Sequence, residues 1–457
     1  MLYEGNTVKD MKIAYIGGGS RGWAWTLMRD LTMAEDLSGK VALYDIDLAA
    51  AKDNEIIGNN INKEHWSYEA TETIGEALTG ADFVIISILP GTFDEMDSDV
   101  HAPEEYGIYQ SVGDTTGAGG FIRALRTVPM FREIARAIKE YCPEAWVINY
   151  TNPMAICIEA LYREFPEIKA FGCCHEVFGT QKLLSTALDD ICGIKDVPKE
   201  DVCVEVVGVN HFTWFTKAQY RNIDLFPVYE KFVDKYYETG HDVDAEENWM
   251  HVDTTGKRVR FDLFRRFGYI AAAGDRHLAE FMPPEEYLKD HDTAHEWKFT
   301  LTPISWRKNR LEKLLAKSKA YLNGEEKIEI KPTGEEGVKL MRALMGLSPL
   351  VTNVNIPNRG QISNLPIGTV VETNATFRSD ELCPVFVGDI PESIYELIRK
   401  NAEENSEAVD AAFREEKEFA FEMFARNHTL HSLNDAQKRD LFEKMWKNTE
   451  KYLTMYR

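Results

Sequence analysis

A chain of 457 residues, 44% hydrophobic and 28% charged, can bury a large core and is long enough for two domains. Its formal net charge of −23 argues against nucleic acid, whose phosphates need a basic face, and requires local cations to hold any anionic substrate. Seven cysteines without scaffold spacing, no apolar run of membrane-spanning length and no signal peptide ahead of Met11 point to a cytoplasmic protein with no membrane contact.

Residues 1–10 read as a loose N-terminal extension. Met11 to Ile16 is a short apolar strand, followed by Gly17-Gly18-Gly19-Ser20-Arg21-Gly22. The spacing of Gly17, Gly19 and Gly22 permits a tight turn, close approach of backbone to a pyrophosphate, and close packing of the helix expected from Trp23. Ser20 sits in the same turn. A second strand, Val41 to Tyr44, ends in Asp45. An acid there accepts hydrogen bonds from ribose hydroxyls and repels a 2′-phosphate, favouring NAD over NADP. Helical periodicity over Ala49 to Asn62, a weak strand over Tyr68 to Thr73 and a clear one over Asp82 to Leu89 continue the alternation. Ser87, at the end of that strand, should lie beside the cofactor.

Gly113 to Gly120, with Asp114, opens a long helix reaching about Tyr141. The apolar run Ala145 to Ile148 then stops at Asn149-Tyr150-Thr151-Asn152-Pro153, because proline cannot continue a ladder. Asn149 and Asn152 are thereby held at a strand's carboxyl end, where open parallel sheets bind ligands. A sixth strand, Ile168 to Gly172, leads into Cys173-Cys174-His175-Glu176. Six strands with intervening helices make a Rossmann-type, doubly wound parallel sheet over residues 11–190 that binds NAD. A second α+β domain over 191–457 is expected to carry substrate binding and oligomerisation.

That second half is less periodic. Val202 to Val209 is a strand entering Asn210-His211, polar and aromatic stretches run to about Trp249, and strands follow over 351–366 and 369–373. Charged amphipathic helices fill Glu392 to Tyr456. Cys174 and His211 are candidate ligands for a divalent metal, since thiolate and imidazole suit a transition ion and two protein ligands leave room for substrate oxygens. A buried cysteine is more often packing; the position of each at a strand end raises the odds. Cys142, Cys157, Cys192, Cys203 and Cys383 read as core fillers. Asp275, His277 and Tyr269 are candidates for proton transfer, against the plainer readings of a turn residue for Asp275 and a helix-face residue for His277. Asp114 and Arg276 are open to similar plain readings, and Glu176 is a candidate support for the Cys-His pair.

These motifs resemble glycoside hydrolase family 4, the NAD- and metal-dependent glycosidases. The resemblance is carried by Ile16-Gly17-Gly18-Gly19-Ser20, Asn149-Tyr150-Thr151-Asn152-Pro153, Gly172-Cys173-Cys174-His175-Glu176-Val177, Gly208-Val209-Asn210-His211 and Asn353-Val354-Asn355-Ile356-Pro357-Asn358. Within the family, Gly113-Asp114-Thr115 and Ala273-Gly274-Asp275-Arg276-His277-Leu278 are most similar to the α-galacturonidases. The resemblance implies a redox route outside the two-carboxylate scheme: bound NAD⁺ accepts hydride from sugar C3, the resulting ketone acidifies the C2 proton, a base removes it, and the glycosidic oxygen leaves C1.

It also implies Cys174 and His211 as ligands of Mn²⁺ or another divalent metal, and Asn152 near substrate and cofactor. His175 stands where phosphosugar-specific members place an acid, and Asp114 at a position supporting the base. For that base the resemblance favours Asp275, with His277 second. The stretch Leu89-Pro90-Gly91-Thr92 lacks the arginine that those members use for a 6-phosphate, so a uronic carboxylate held by Arg276 is expected instead. The expected substrate is a small galacturonide and the expected assembly a homodimer or homotetramer. The competing readings are an α-glucosidase or α-glucuronidase of the family, an NAD-dependent 2-hydroxyacid dehydrogenase, and a redox-sensing NAD-binding protein.

Overall fold

The structure is a computed structural model that describes residues 1–61, 64–242 and 255–457. Asn62, at the expected helix end, and Trp249, at the end of the polar and aromatic stretch, lie outside the described residues. The first seven strands are β1 (Leu2–Glu4), β2 (Thr7–Ile16), β3 (Leu37–Tyr44), β4 (Trp66–Thr71), β5 (Phe83–Ile86), β6 (Trp146–Asn149) and β7 (Lys169–Gly172). Six of them form a parallel sheet in the order β4-β3-β2-β5-β6-β7. The order reverses between β2 and β5, which opens a crevice at the carboxyl ends of those strands. Both faces are covered at the centre, which is why β5 and β6 read as unbroken apolar runs, whereas β4 at the edge alternates buried and exposed residues. Ile13, Tyr15, Phe83 and Ile85 pack on one side, whereas Ala14, Ile16, Val84 and Ile86 pack on the other.

Residues 1–10 are not a loose extension. β1 pairs antiparallel with β2 in the register Leu2↔Lys9, and Val8 is fully buried. An irregularity between Val8 and Met11, with Asp10 at positive φ, interrupts the apolar alternation and masks the strand's true start.

A second sheet is built from β8 (Val202–Val209), β9 (Phe212–Tyr220), β10 (Ile223–Asp224) and β11 (Ile270–Ala271). Three further strands, β12 (Leu350–Pro357), β13 (Val370–Arg378) and β14 (Glu381–Pro384), add antiparallel to the first sheet, with Asn355 opposite Gly172 of β7. The division expected at residue 190 therefore does not separate the sheet or its core. Residues of the helices Glu392–Arg414, Lys417–Phe424 and Asp435–Thr449 share one apolar cluster with Ala14, Val84 and Val147. Among the described residues no helix is long and apolar enough to cross a membrane. The cysteines are all free, and Cys142 and Cys157 are buried as fillers. Cys192 and Cys203 are exposed and Cys383 is half-buried, so those three are not core residues.

Candidate active site

The turn after β2 is shaped for close approach. Gly17 has φ +93°, and a Cβ there would lie 2.0 Å from the Ser87 carbonyl oxygen. A Cβ on Gly19 would meet Ala50 at 2.7 Å and the Asp45 carboxylate at 2.9 Å. Nothing crowds Gly22, so its absence of a side chain is not a packing requirement. Ser20 Oγ accepts from the Trp23 N–H and stabilises the start of helix Trp23–Met33. Asp45 accepts from the N–H groups of Gly19 and Asp47, each at 2.9 Å. A carboxylate has about four acceptor positions, so Asp45 retains capacity for hydroxyl donors. The cradle of small residues, and the buried, unpartnered Asn152 Oδ1 across the crevice, fit a dinucleotide.

Asn149 is spent on the backbone. Its Oδ1 accepts from Thr151 N–H and its Nδ2 donates to the Thr151 carbonyl, each at 3.0 Å, in a fully buried position. It shapes the strand end and is not presented to a substrate. Asn152 follows on the partly exposed side, with its carbonyl accepting from Arg123 Nε at 3.2 Å. The Asn152–Pro153 and Asn210–His211 peptide bonds are cis.

Cys174 is buried, and its thiol is bonded by the Asn210 side chain, next to His211. Burial, with Glu372 and Glu176 nearby, pushes that thiol well above its ordinary value. Glu372 itself accepts from Asn210 at 3.0 Å and Asn353 at 2.6 Å, while Asn353 also donates to the Cys174 carbonyl. Burial pushes Glu372 up to about 7.

His211 is buried, and burial together with neighbouring His277 lowers it to about 3, so its imidazole is neutral. A hydrogen-bond chain fixes its tautomer. Burial opposes ionisation of Asp114, but Arg123, Arg307, His277 and His211 outweigh it and hold the carboxyl at about 2. Ionised Asp114 can only accept, so Thr115 donates to it at 2.9 Å. Thr115 Oγ1 must then accept from His211 Nδ1–H at 3.0 Å, which leaves the Nε2 lone pair for a ligand. One thiol and one oriented imidazole fit a divalent transition ion. Among the described residues no group of three or more such side chains could enclose a metal alone, so other positions fall to water or substrate oxygens.

His277 stacks on His211, with ring centres 4.2 Å apart. Its Nε2 lies 3.9 Å from Glu176, and its Nδ1 is buried without a hydrogen-bond partner. Glu176 accepts from the Gly274 N–H at 2.7 Å and lies 4.0 Å from His175. Burial works against its charge, but His277, His211, His175 and the Gly274 bond hold it at about 2. His175 is half exposed and 3.5 Å from Glu335, with the Trp23 ring nearby.

Asp275 does not join this group. It is fully buried, bonded to Arg260 Nε at 3.1 Å and to Val259 N–H at 3.3 Å. Its carboxylate anchors helix Arg258–Phe267 and is withdrawn from any substrate, so it does not fit the part of a base. Tyr269 packs edge-on against Phe226 in the apolar layer beside the second sheet. Arg276 is half-buried, its carbonyl bonded by Ser111, and it has interactions of its own. Sequence reasoning missed Arg123, Thr115, Arg307 and Glu372. For Arg123 and Glu372 a signal existed: Arg123 is one of two charges, with Arg126, inside an otherwise apolar helix run, and Glu372 is a single charge within the buried part of its strand.

The model for family 4 glycosyl hydrolases matches residues 12–190, and that for the family's C-terminal domain matches 206–430. An alpha-galacturonidase of Thermoanaerobacterium saccharolyticum is 58% identical over 99% of this chain and 98% of its own. One of Bacillus subtilis is 49% identical over 97% and 98%. A solved Bacillus subtilis structure has a TM-score of 0.92 at 49% identity, covering 96% of this chain and 100% of that one. A 6-phospho-alpha-glucosidase from gut microorganisms, in complex with NAD and Mn²⁺, has a TM-score of 0.80 at 23% identity over 97% and 99%, a likeness of fold. The chain belongs to family 4 of the glycosyl hydrolases.

Proposed function

We propose that this enzyme is an α-galacturonidase acting by oxidation at C3, deprotonation at C2 and elimination from C1, followed by addition of water at C1, reprotonation at C2 and return of the hydride to C3. The observation that carries the reading is a glycine-lined turn at the carboxyl end of β2 in the same parallel sheet whose β7 leads into Cys174, with a tautomer-fixed His211 next to it. Identity of 49–58% to alpha-galacturonidases over nearly the full chain supports the substrate. Gly17, Gly19, Ser20, Asp45, Ser87 and Asn152 would hold NAD, and Cys174 with His211 would hold Mn²⁺ or another divalent ion. When bound, the nicotinamide would supply reversible hydride acceptance and the metal would supply positive charge against the negative charge that develops on the sugar.

The chain's own groups handle the protons. His277, with an unpartnered ring nitrogen and Glu176 beside the other, takes the C2 proton, and Glu176 offsets the charge the ring gains. Asp114 supports this arrangement through Thr115 and His211. His175, exposed and beside Glu335, delivers a proton to the leaving oxygen. A homodimer or homotetramer belongs to the same reading, with exposed Ile367 and Phe386 as apolar surface that a second copy would cover. Seven free thiols support a cytoplasmic setting.

The test is release of galacturonate from a short α-galacturonide by the purified enzyme, with NAD⁺ and Mn²⁺ added or omitted, beside the matching glucoside and glucuronide. Release that requires both additions and prefers the galacturonide is expected. Preference for either other glycoside would overturn the substrate assignment, and stoichiometric consumption of NAD⁺ would turn the reading toward a dehydrogenase.

A further inference from the structure

The substrate carboxylate needs a cation, and four arginines lie in the regions bordering Asp114: Arg123, Arg126, Arg276 and Arg307. Arg126 is spent. It forms a fully buried two-point pair with Asp99, and its Nε donates to the Pro90 carbonyl at 2.9 Å. Arg276 has interactions of its own. Arg123 and Arg307 are the two guanidiniums whose charge bears most strongly on Asp114, and each has a buried donor without an acceptor. Arg123, 4% exposed in helix Gly117–Tyr141, has its Nε on the Asn152 carbonyl while Nη1 is buried without a partner. Arg307 lies in the first turn of helix Ile304–Leu322, and its Nε is likewise buried without a partner. The segment leading to it is fixed against the stretch before Asp114, where Thr302 N–H donates to the Ser111 carbonyl at 2.8 Å, and against the end of helix Phe93–His101, where Ile304 N–H donates to His101 at 3.3 Å.

Asp114 faces both guanidiniums and both His211 and His277. Both guanidiniums meet the single carboxylate of Asp114, which leaves buried N–H groups on each without acceptors. Buried, unsatisfied guanidinium donors are costly, and a planar carboxylate removes that cost with paired charge-assisted hydrogen bonds. A hydroxymethyl group at the same sugar position brings no charge and cannot accept at two points.

We propose that Arg307, with Arg123 behind it, is the carboxylate clamp that selects uronides over neutral sugars. The assignment rests on the galacturonidase reading. It replaces Arg276 in that part, and it makes the segment 300–307 a specificity element. Arginine is required for its fork; a lysine would supply the charge without the two-point geometry.

The test compares wild type, Arg307→Met, Arg307→Lys and Arg276→Ala, each loaded with NAD⁺ and Mn²⁺. Calorimetry measures binding of galacturonate and of galactose, and steady-state kinetics use 4-nitrophenyl α-galacturonide and α-galactoside. Arg307→Met should weaken galacturonate binding about 100-fold, as for one side of a buried charge pair, with KM rising more than kcat falls. Its preference for galacturonide over galactoside should collapse in parallel. Arg307→Lys should recover part of the affinity, and Arg276→Ala should stay nearer the wild type in preference. Wild-type NAD⁺ affinity in Arg307→Met shows that the variant is folded. The clamp is overturned if folded Arg307→Met binds galacturonate as wild type does, or loses both sugars equally. Failure of wild type to release galacturonate at all would instead bring down the reading beneath it.

Discussion

At the scale of single residues, the Asp114–Thr115–His211 chain explains how a buried, neutral imidazole presents one defined nitrogen. Thr115→Val keeps the shape but removes the oxygen that accepts from Nδ1–H. Outer partners of this kind are worth about 10–100-fold in metal affinity. A Mn²⁺ titration followed by electron paramagnetic resonance should show a loss of that order; an unchanged affinity would mean that Thr115 does not set the tautomer. Glu280 makes a separate prediction about pH. It accepts from the N–H groups of Val112 and Gly113 at 2.7 and 2.8 Å, and burial pushes it from 4.5 up to about 7. Because the folded value lies above the unfolded one, its contribution is full below about 4.5 and is lost as pH rises through about 7. Above that range the buried charge costs about 3 kcal/mol. Glu280→Gln keeps the acceptor without the titration. Its melting temperature should exceed the wild type's at pH 8, and the gap should close by pH 5. A gap independent of pH would contradict the buried ionisation.

At the scale of elements, the glycine turn after β2 gives a graded test. Gly17→Ala forces a Cβ onto the Ser87 carbonyl at positive φ, and Gly19→Ala pushes on Asp45 and Ala50. Each should abolish measurable NAD⁺ binding, with Gly17→Ala also lowering stability by about 1–3 kcal/mol through backbone strain. Gly22→Ala, which meets nothing within 4 Å, should bind NAD⁺ as wild type does. Loss of binding in all three alike would mean that crowding is not what the turn avoids. This turn was readable from the chain because strand, glycines, helix and Asp45 are local in sequence. The helix Asp275–Glu280 was not. Residues two apart on a helix point to well-separated faces, so Asp275 is buried against Arg260 while His277 reaches His211 and Glu176. The short motif holds both residues and gives no sign of which face is which. Arg307 lacked even a motif, since what makes it notable is Asp114, far away in the sequence.

At the scale of the whole molecule, the parallel strands were legible as apolar runs, and the way the halves join was not. The pairing of β12 with β7, and the burial of Val409 and Phe442 with Val84 and Val147, depend on partners the local pattern cannot name. A fragment ending at residue 190 would expose that face. It should show no cooperative thermal transition in circular dichroism, whereas a sharp transition would establish an autonomous first half.

Catalysis by way of a proton taken from C2 is the claim on which the rest depends, because it is what His277 and its neighbours are placed to perform. Hydrolysis of a short α-galacturonide in deuterated water, followed by proton resonance of the released galacturonate, tests it directly. His277 exchanges its captured proton with solvent, so deuterium should appear at C2 of the product, and His277→Gln should lose turnover and exchange together. Galacturonate released by wild type with its C2 proton fully retained would contradict the elimination route.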